Sequence, residues 1–221
     1  STKLLSMILA NGTLDEIEEM RGVHPWKVLT RLGKRDKTTA LSSAITYGMS
    51  DDFLDILISA GSPIHNIALK EKRTPAIAAI MQNRCDLLER FFAMGLDPNA
   101  VDGNRRPLLY TACEFADDAT VRLLLDHGAD LSKTVPFGKE NYPMVFLAIL
   151  EGKEKLATRF RSIGDDGTYR NRYGNGLLSL TGFWAGERET VTPEIIRFVA
   201  RLFPDTVRFV NKKKETALHV M

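Results

Sequence analysis

The chain is poor in the residues and runs that would announce a specialised chemistry or compartment. Two cysteines, Cys85 and Cys113, in 221 residues are too few for a disulfide-stapled scaffold. Both fall in helical patterns and read as reduced thiols of an intracellular protein. No apolar run approaches the roughly 18 residues of a membrane-spanning helix. The opening stretch, STKLLSMILANGTLDEIEEM, turns acidic straight after its short apolar part and lacks the basic flank and cleavage site of a secretion signal. Phosphate loops ending in Lys-Ser or Lys-Thr, G-x-S-x-G and H-E-x-x-H are all missing. The histidines His24, His65, His127 and His219 lie far apart, with no second ligand at zinc-like spacing. Paired carboxylates at Asp51-Asp52, Asp117-Asp118 and Asp165-Asp166 flank helix ends, and the first two pairs suit the positive end of a helix better than acid–base work. No catalytic residue, cofactor or metal site is expected.

What the chain does have is internal repetition. Five segments share one grammar: a polar turn, a short Ala- or Leu-rich helix, then a more apolar helix that ends near a glycine. DKTTALSSAITYG leads to SDDFLDILISAGSPI, KRTPAIAAIMQN to RCDLLERFFAMGLDPNA, and NRRPLLYTACEF to ADDATVRLLLDHGADLS. NYPMVFLAILEG then leads to KEKLATRFRSIGDD, NGLLSLTGFWAG to TVTPEIIRFVARLFPDT, and ETALHVM opens a sixth. First helices starting near Thr39, Thr74, Arg106, Tyr142, Asn175 and Thr216 are spaced 35, 32, 36, 33 and 41 residues apart. Gly61, Gly95, Gly128 and Gly164, closing the second helices, follow at 34, 33 and 36. Two independent landmarks keep one period. Threonine can cap such a helix and proline fits its first turn, where its missing N–H costs nothing. Ala78, Ala79 and Ala112 let first helices approach closely, and Phe53, Leu57, Leu88, Phe92, Leu124 and Phe198 fill the space between layers. One helix pair cannot bury enough apolar surface to stand alone, so stability comes from stacking.

The repeat resembles that of the ankyrin family, with its T-P-L-H-x-A start and period of about 33 residues. Thr74-Pro75, Arg106-Pro107-Leu108, Thr39-Ala40-Leu41 and Thr216-Ala217-Leu218-His219 carry the start. Leu123-Leu124-Leu125-Asp126-His127-Gly128-Ala129-Asp130 carries the exit. The expected fold is an all-α ankyrin-repeat solenoid: a divergent helical cap over 1–33, about five repeats over 34–210, and a further repeat begun at 211–221. The last repeat breaks off inside its first helix, so the natural protein is expected to continue. Two departures stand out. An insertion, Gly186 to Val191, separates the helices of the fifth repeat, and that repeat exits through Phe203-Pro204-Asp205.

The resemblance implies that the turns project as fingers and, with the first helices, line a concave binding surface. Counted over Lys34–Lys37, Lys70–Arg73, Asp102–Arg106, Lys139–Tyr142, Arg170–Tyr173 and Lys212–Glu215, the fingers carry 14 basic and 5 acidic residues. Their net charge is +9 against +2 for the chain, leaving −7 elsewhere. A positive edge of this kind speeds encounter with acidic partners and makes binding salt-sensitive. Expected finger contacts are Arg35, Lys37, Lys72, Arg73, Arg105, Lys139, Tyr142, Arg170, Arg172 and Tyr173. Tyr47, Met81, Tyr110, Phe146, Phe183 and Trp184 are expected on the concave side, a large group in each layer.

The expected function is a monomeric protein-interaction module that grips an acidic or phosphorylated protein segment, as a targeting domain of a larger protein or of a host-directed bacterial effector. The alternative is recognition of RNA or a nucleotide by the same edge, for which Arg170, Arg172 and Tyr173 offer basic groups beside an aromatic ring. The acidic remainder of the surface opposes that alternative.

Overall fold

The computed structural model describes residues 40–46, 48–59, 62, 64, 74–137, 140–185 and 187–220. The expected cap over 1–33 and the candidates Arg35, Lys37, Tyr47, Lys72, Arg73 and Lys139 lie outside the described residues. The chain divides into two compact units, Ser1–Ala129 and Asp130–Met221.

In the first unit three helix pairs follow one another. They are α1 (Ala40–Thr46) with α2 (Asp51–Ser59), α3 (Pro75–Met81) with α4 (Cys85–Ala93), and α5 (Leu108–Phe115) with α6 (Asp118–Asp126). Each first helix packs on its own second helix, α1 also packs on α3, and α3 on α5. Thr74 caps α3 by accepting a hydrogen bond from Ile77 N at 3.3 Å, and Pro75 occupies the first helical position, where the chain needs no donor. Every residue from Pro75 to Ile80 is buried, which is possible because Ala76, Ala78 and Ala79 leave room for neighbours. Leu87, Leu88 and Phe91 in α4 and Leu124 in α6 are fully buried, so the second helices supply the bulk. Asp117 caps α6, its Oδ1 accepting from Thr120 N at 2.8 Å, and Asp51 and Asp52 occupy the first turn of α2. The exits turn at Gly95 and Gly128, with φ of 90° and 91°, values that L residues adopt only with strain.

A polar ladder crosses the second helices. The Arg84 guanidinium donates to Asp51 at 2.5 Å and to Asp86 at 2.6 Å, and Arg90 meets Asp55 at 2.6 Å. His127 stacks on Phe92 with ring centroids 4.1 Å apart, and its Nε2 lies 3.1 Å from Glu89. The Arg84 hydrogen bond holds the Asp86 carboxyl below the usual range, and Asp86 and Asp51 raise the guanidinium further.

The second unit opens with an antiparallel hairpin, β1 (Thr134–Phe137) and β2 (Glu140–Pro143). It continues through α7 (Met144–Leu150), α8 (Glu154–Ser162), α9 (Leu177–Ala185), α10 (Pro193–Leu202), a 3-10 turn (Pro204–Arg208) and α11 (Ala217–Val220). Here too first helices pack on each other, α7 on α9 and α9 on α11, and the hairpin packs on α7. The hairpin corrects the expectation of a helix from Tyr142. Pro143 disfavours helical backbone in the residue before it, and Tyr142 instead faces Val135 in the register of the hairpin. Phe203, buried at the divergent exit of the fifth repeat, lies so close to Gly167 that a Cβ there would sit 2.4 Å from its ring. The insertion folds back on α9: Glu187 N and Arg188 N both donate to Trp184 O at 3.0 Å. Thr190 Oγ1 then donates to Leu150 O at 2.6 Å, and Val191 is buried.

Candidate protein-interaction surface

One hydrogen-bonded hook shapes the turn before three of the first helices. Asp102 Oδ1 accepts from Asn104 N at 2.7 Å and Arg106 N at 2.8 Å. Asn171 Oδ1 does the same for Tyr173 N and Asn175 N, and Asn211 Oδ1 for Lys213 N and Glu215 N. In each the fourth residue is left-handed: Arg105 at φ 62°, Gly174 at 83° and Lys214 at 65°. Backbone pairs close the loops, Asp102 N to Arg106 O at 2.8 Å and Asn211 N to Glu215 O at 2.9 Å. A short polar side chain that accepts from its own following N–H groups is the usual origin of such turns. The sequence signal, Asp or Asn six residues before the helix start, is visible once the structure fixes the register.

The hooks present their cations unequally. Arg105, Lys212, Lys213 and Lys214 are exposed, and none has an ion-pair partner among the described residues. Arg106 is partly occupied, 5.0 Å over the Tyr110 ring and 3.9 Å from Glu114. Arg172 pairs with Glu140 at 2.9 Å and lies 4.8 Å over Tyr173. Arg170 is a structural strut. Its guanidinium sits 3.8 Å over Phe209 and donates to Gly174 O and Val210 O, although the residue as a whole stays exposed. The strut joins the fifth and sixth turns, and Lys212 N adds a hydrogen bond to Tyr173 O at 3.0 Å.

The expected concave strip is also revised. Tyr110 and Phe146 are 0% exposed, so they are core side chains, not open contacts. Tyr142 is buried too, 4.8 Å from Phe146 and 6.4 Å from Tyr169 between ring centroids. Burial raises the pKa of Tyr142, with the nearby Glu140 charge adding to it, and Tyr169 shifts the same way for the same first cause. Periodicity identified the face of the helix but not the hairpin lying on it. Met81 and Trp184 are half-buried, while Tyr173 at 54% and Phe183 at 55% stay open. Phe137 on β1 meets Trp184 edge-on at 5.6 Å, Trp184 meets Phe183 at 5.9 Å, and Arg188 lies 4.5 Å over Phe137. Phe137, Glu140 and Arg188 were missed at the sequence level; the insertion was visible, but nothing in its residues says where it folds.

Stacked helix pairs joined by hooked turns define an all-α repeat solenoid. Residues 41–135 match the family model described as ankyrin repeats (3 copies). Repeats of this family generally mediate protein–protein interaction. Among solved structures, the complex of a predatory endopeptidase from Bdellovibrio bacteriovorus with an immunity protein contains a chain of similar fold. The likeness has a TM-score of 0.51 at 20% identity and covers 81% of this chain and 89% of that one. A search of curated proteins finds no match. Among the described residues no helix is long and apolar enough to cross a membrane, and no group of three or more His, Cys, Asp or Glu is placed to hold a metal ion.

Proposed function

We propose that this chain binds an acidic or phosphorylated segment of another protein through its basic turns and the exposed aromatic end of α9. The observation that carries this reading is that the hooked turns hold Arg105, Lys212, Lys213 and Lys214 in solvent without counter-charges among the described residues. The rigid turn fixes the backbone beneath each cation, so binding costs only the side chain's own freedom. Each unit displays such a turn, and the second also displays Tyr173 and Phe183.

Polyanion recognition is the second reading, favoured by Arg172 stacked over the exposed Tyr173 ring, since bases stack on aromatic side chains. Affinity capture from lysate, with and without nuclease, separates the two. The comparison is wild type against Arg105→Glu/Lys212→Glu/Lys213→Glu. A defined protein that survives nuclease, is lost in the variant and elutes with moderate salt is the expected outcome. Capture that nuclease abolishes hands the surface to the polyanion reading, and capture unchanged in the variant removes the basic turns from both.

A further inference from the structure

We infer that the insertion after α9 builds a docking point for a partner segment in which a carboxylate stands beside a bulky apolar side chain. This inference rests on the acidic-partner reading and narrows it to one site. The Arg188 guanidinium lies 4.5 Å over the Phe137 ring and 5.8 Å from the Trp184 ring. The guanidinium makes no hydrogen bond among the described residues, and its N–H donors lie in one plane and match a carboxylate two at a time. No carboxylate pairs with Arg188 among the described residues, in contrast to Arg172, which Glu140 already holds.

The apolar half of the site is Phe183, 55% exposed and perpendicular to Trp184 at 88°. An aromatic ring left this open beside an unpaired cation presents both halves of one recognition surface. Internal hydrogen bonds hold Arg188 and Thr190 before any partner arrives. The backbone of Arg188 is anchored on Trp184 O, Thr190 is tied to Leu150 O, and the buried Val191 closes the loop. In the second repeat only Gln82, Asn83 and Arg84 join α3 to α4, so a stacked pair of helices needs no such insertion. Charge complementarity selects the occupant: a cation without a counter-ion calls for an acidic segment, and Phe183 for an apolar residue next to the acid.

The test uses the full chain and three labelled probes: an acidic octapeptide with a central leucine–phenylalanine pair, octaglutamate, and an oligouridine. Anisotropy should show the mixed octapeptide binding tightest. Arg188→Gln and Phe183→Ala should each weaken it by about tenfold, the scale of one lost charge-assisted or aromatic contact. Phe183 is exposed, so its alanine variant keeps the core intact, and Arg188→Lys should not restore binding because an ammonium lacks the flat, forked geometry. The Trp184 resonance of fluorotryptophan-labelled protein should shift during the titration. Octapeptide binding that survives both variants but is lost in Lys212→Glu/Lys213→Glu overturns this site and leaves the basic-turn reading standing. Tighter binding of oligouridine, lost in Arg188→Gln, also overturns it. Failure of both acidic probes to bind overturns the two readings together.

Discussion

Arg105 and Lys214 hold left-handed backbone, φ 62° and 65°, at the place where the fifth turn uses Gly174 at 83°. A side chain in that region costs roughly 1–2 kcal/mol, partly returned because a non-glycine residue has less freedom to lose on folding. Arg105→Gly or Lys214→Gly should therefore raise stability by about 0.5 kcal/mol, read from urea midpoints, while weakening acidic partners. Gly174→Ala should do the reverse, lowering stability by ~1–2 kcal/mol, because its Cβ would also stand 3.0 Å from Lys212 N. The hook itself is tested at Asp102. Asp102→Ala strands two N–H groups and should cost about 1–2 kcal/mol. Asp102→Asn should stay within about 0.5 kcal/mol, since Asn171 and Asn211 make the same hook.

At the level of elements, the helices owe their stability to apolar contact far more than to the polar ladder. Phe160 on α8 is fully buried, and Phe160→Ala should cost roughly 3–5 kcal/mol by thermal or urea unfolding. Arg84→Ala breaks exposed ion pairs and should cost no more than ~1 kcal/mol. The hairpin is the element the sequence concealed. Asn141-Tyr142-Pro143 occupies the repeat position of a helix start, and only the extended preference before Pro143 and the pairing with Val135 and Pro136 reverse that reading. Long-range cover also bears on two site residues. Phe146 has the right helical spacing for an open face, yet Tyr142 covers it, and Arg170 has the right charge for a contact, yet Phe209 and two carbonyls hold it. By contrast, Thr74-Pro75 and the exits at Gly95 and Gly128 were legible because cap geometry and positive φ restrict which residues can stand there. Sequence spacing reports such local demands and is silent on long-range cover.

For the whole molecule, pH reports how the carboxylates are held. Asp86, Asp130 and Asp166 sit below the ordinary carboxyl pKa, each chiefly through a side-chain hydrogen bond, to Arg84, Ser132 and Thr168. Glu194 is lowered as well, first by its own backbone N–H. Each contributes stability that is present above the unfolded-state pKa and disappears as pH falls through the lower folded value. Asp165 is opposite: burial raises it, so its ionisation costs stability once pH rises through its folded pKa. Circular dichroism melts should therefore show stability declining below about pH 4. Asp165→Asn should raise the melting temperature at neutral pH and make little difference in acid. A melting temperature unchanged by Asp165→Asn at pH 7 would contradict the burial argument.

The hooked turns have a consequence for how such a protein diversifies. Their shape is set by one Asp or Asn side chain, a backbone pair and a residue in left-handed conformation, so tip side chains such as Asn104, Lys212 and Lys213 are not needed to close the loop. These positions can be rewritten in a library without remaking the scaffold. A new specificity could be grafted onto them while Asp102 and Asn211 are kept, and selection acting on partners can run independently of selection acting on the stack.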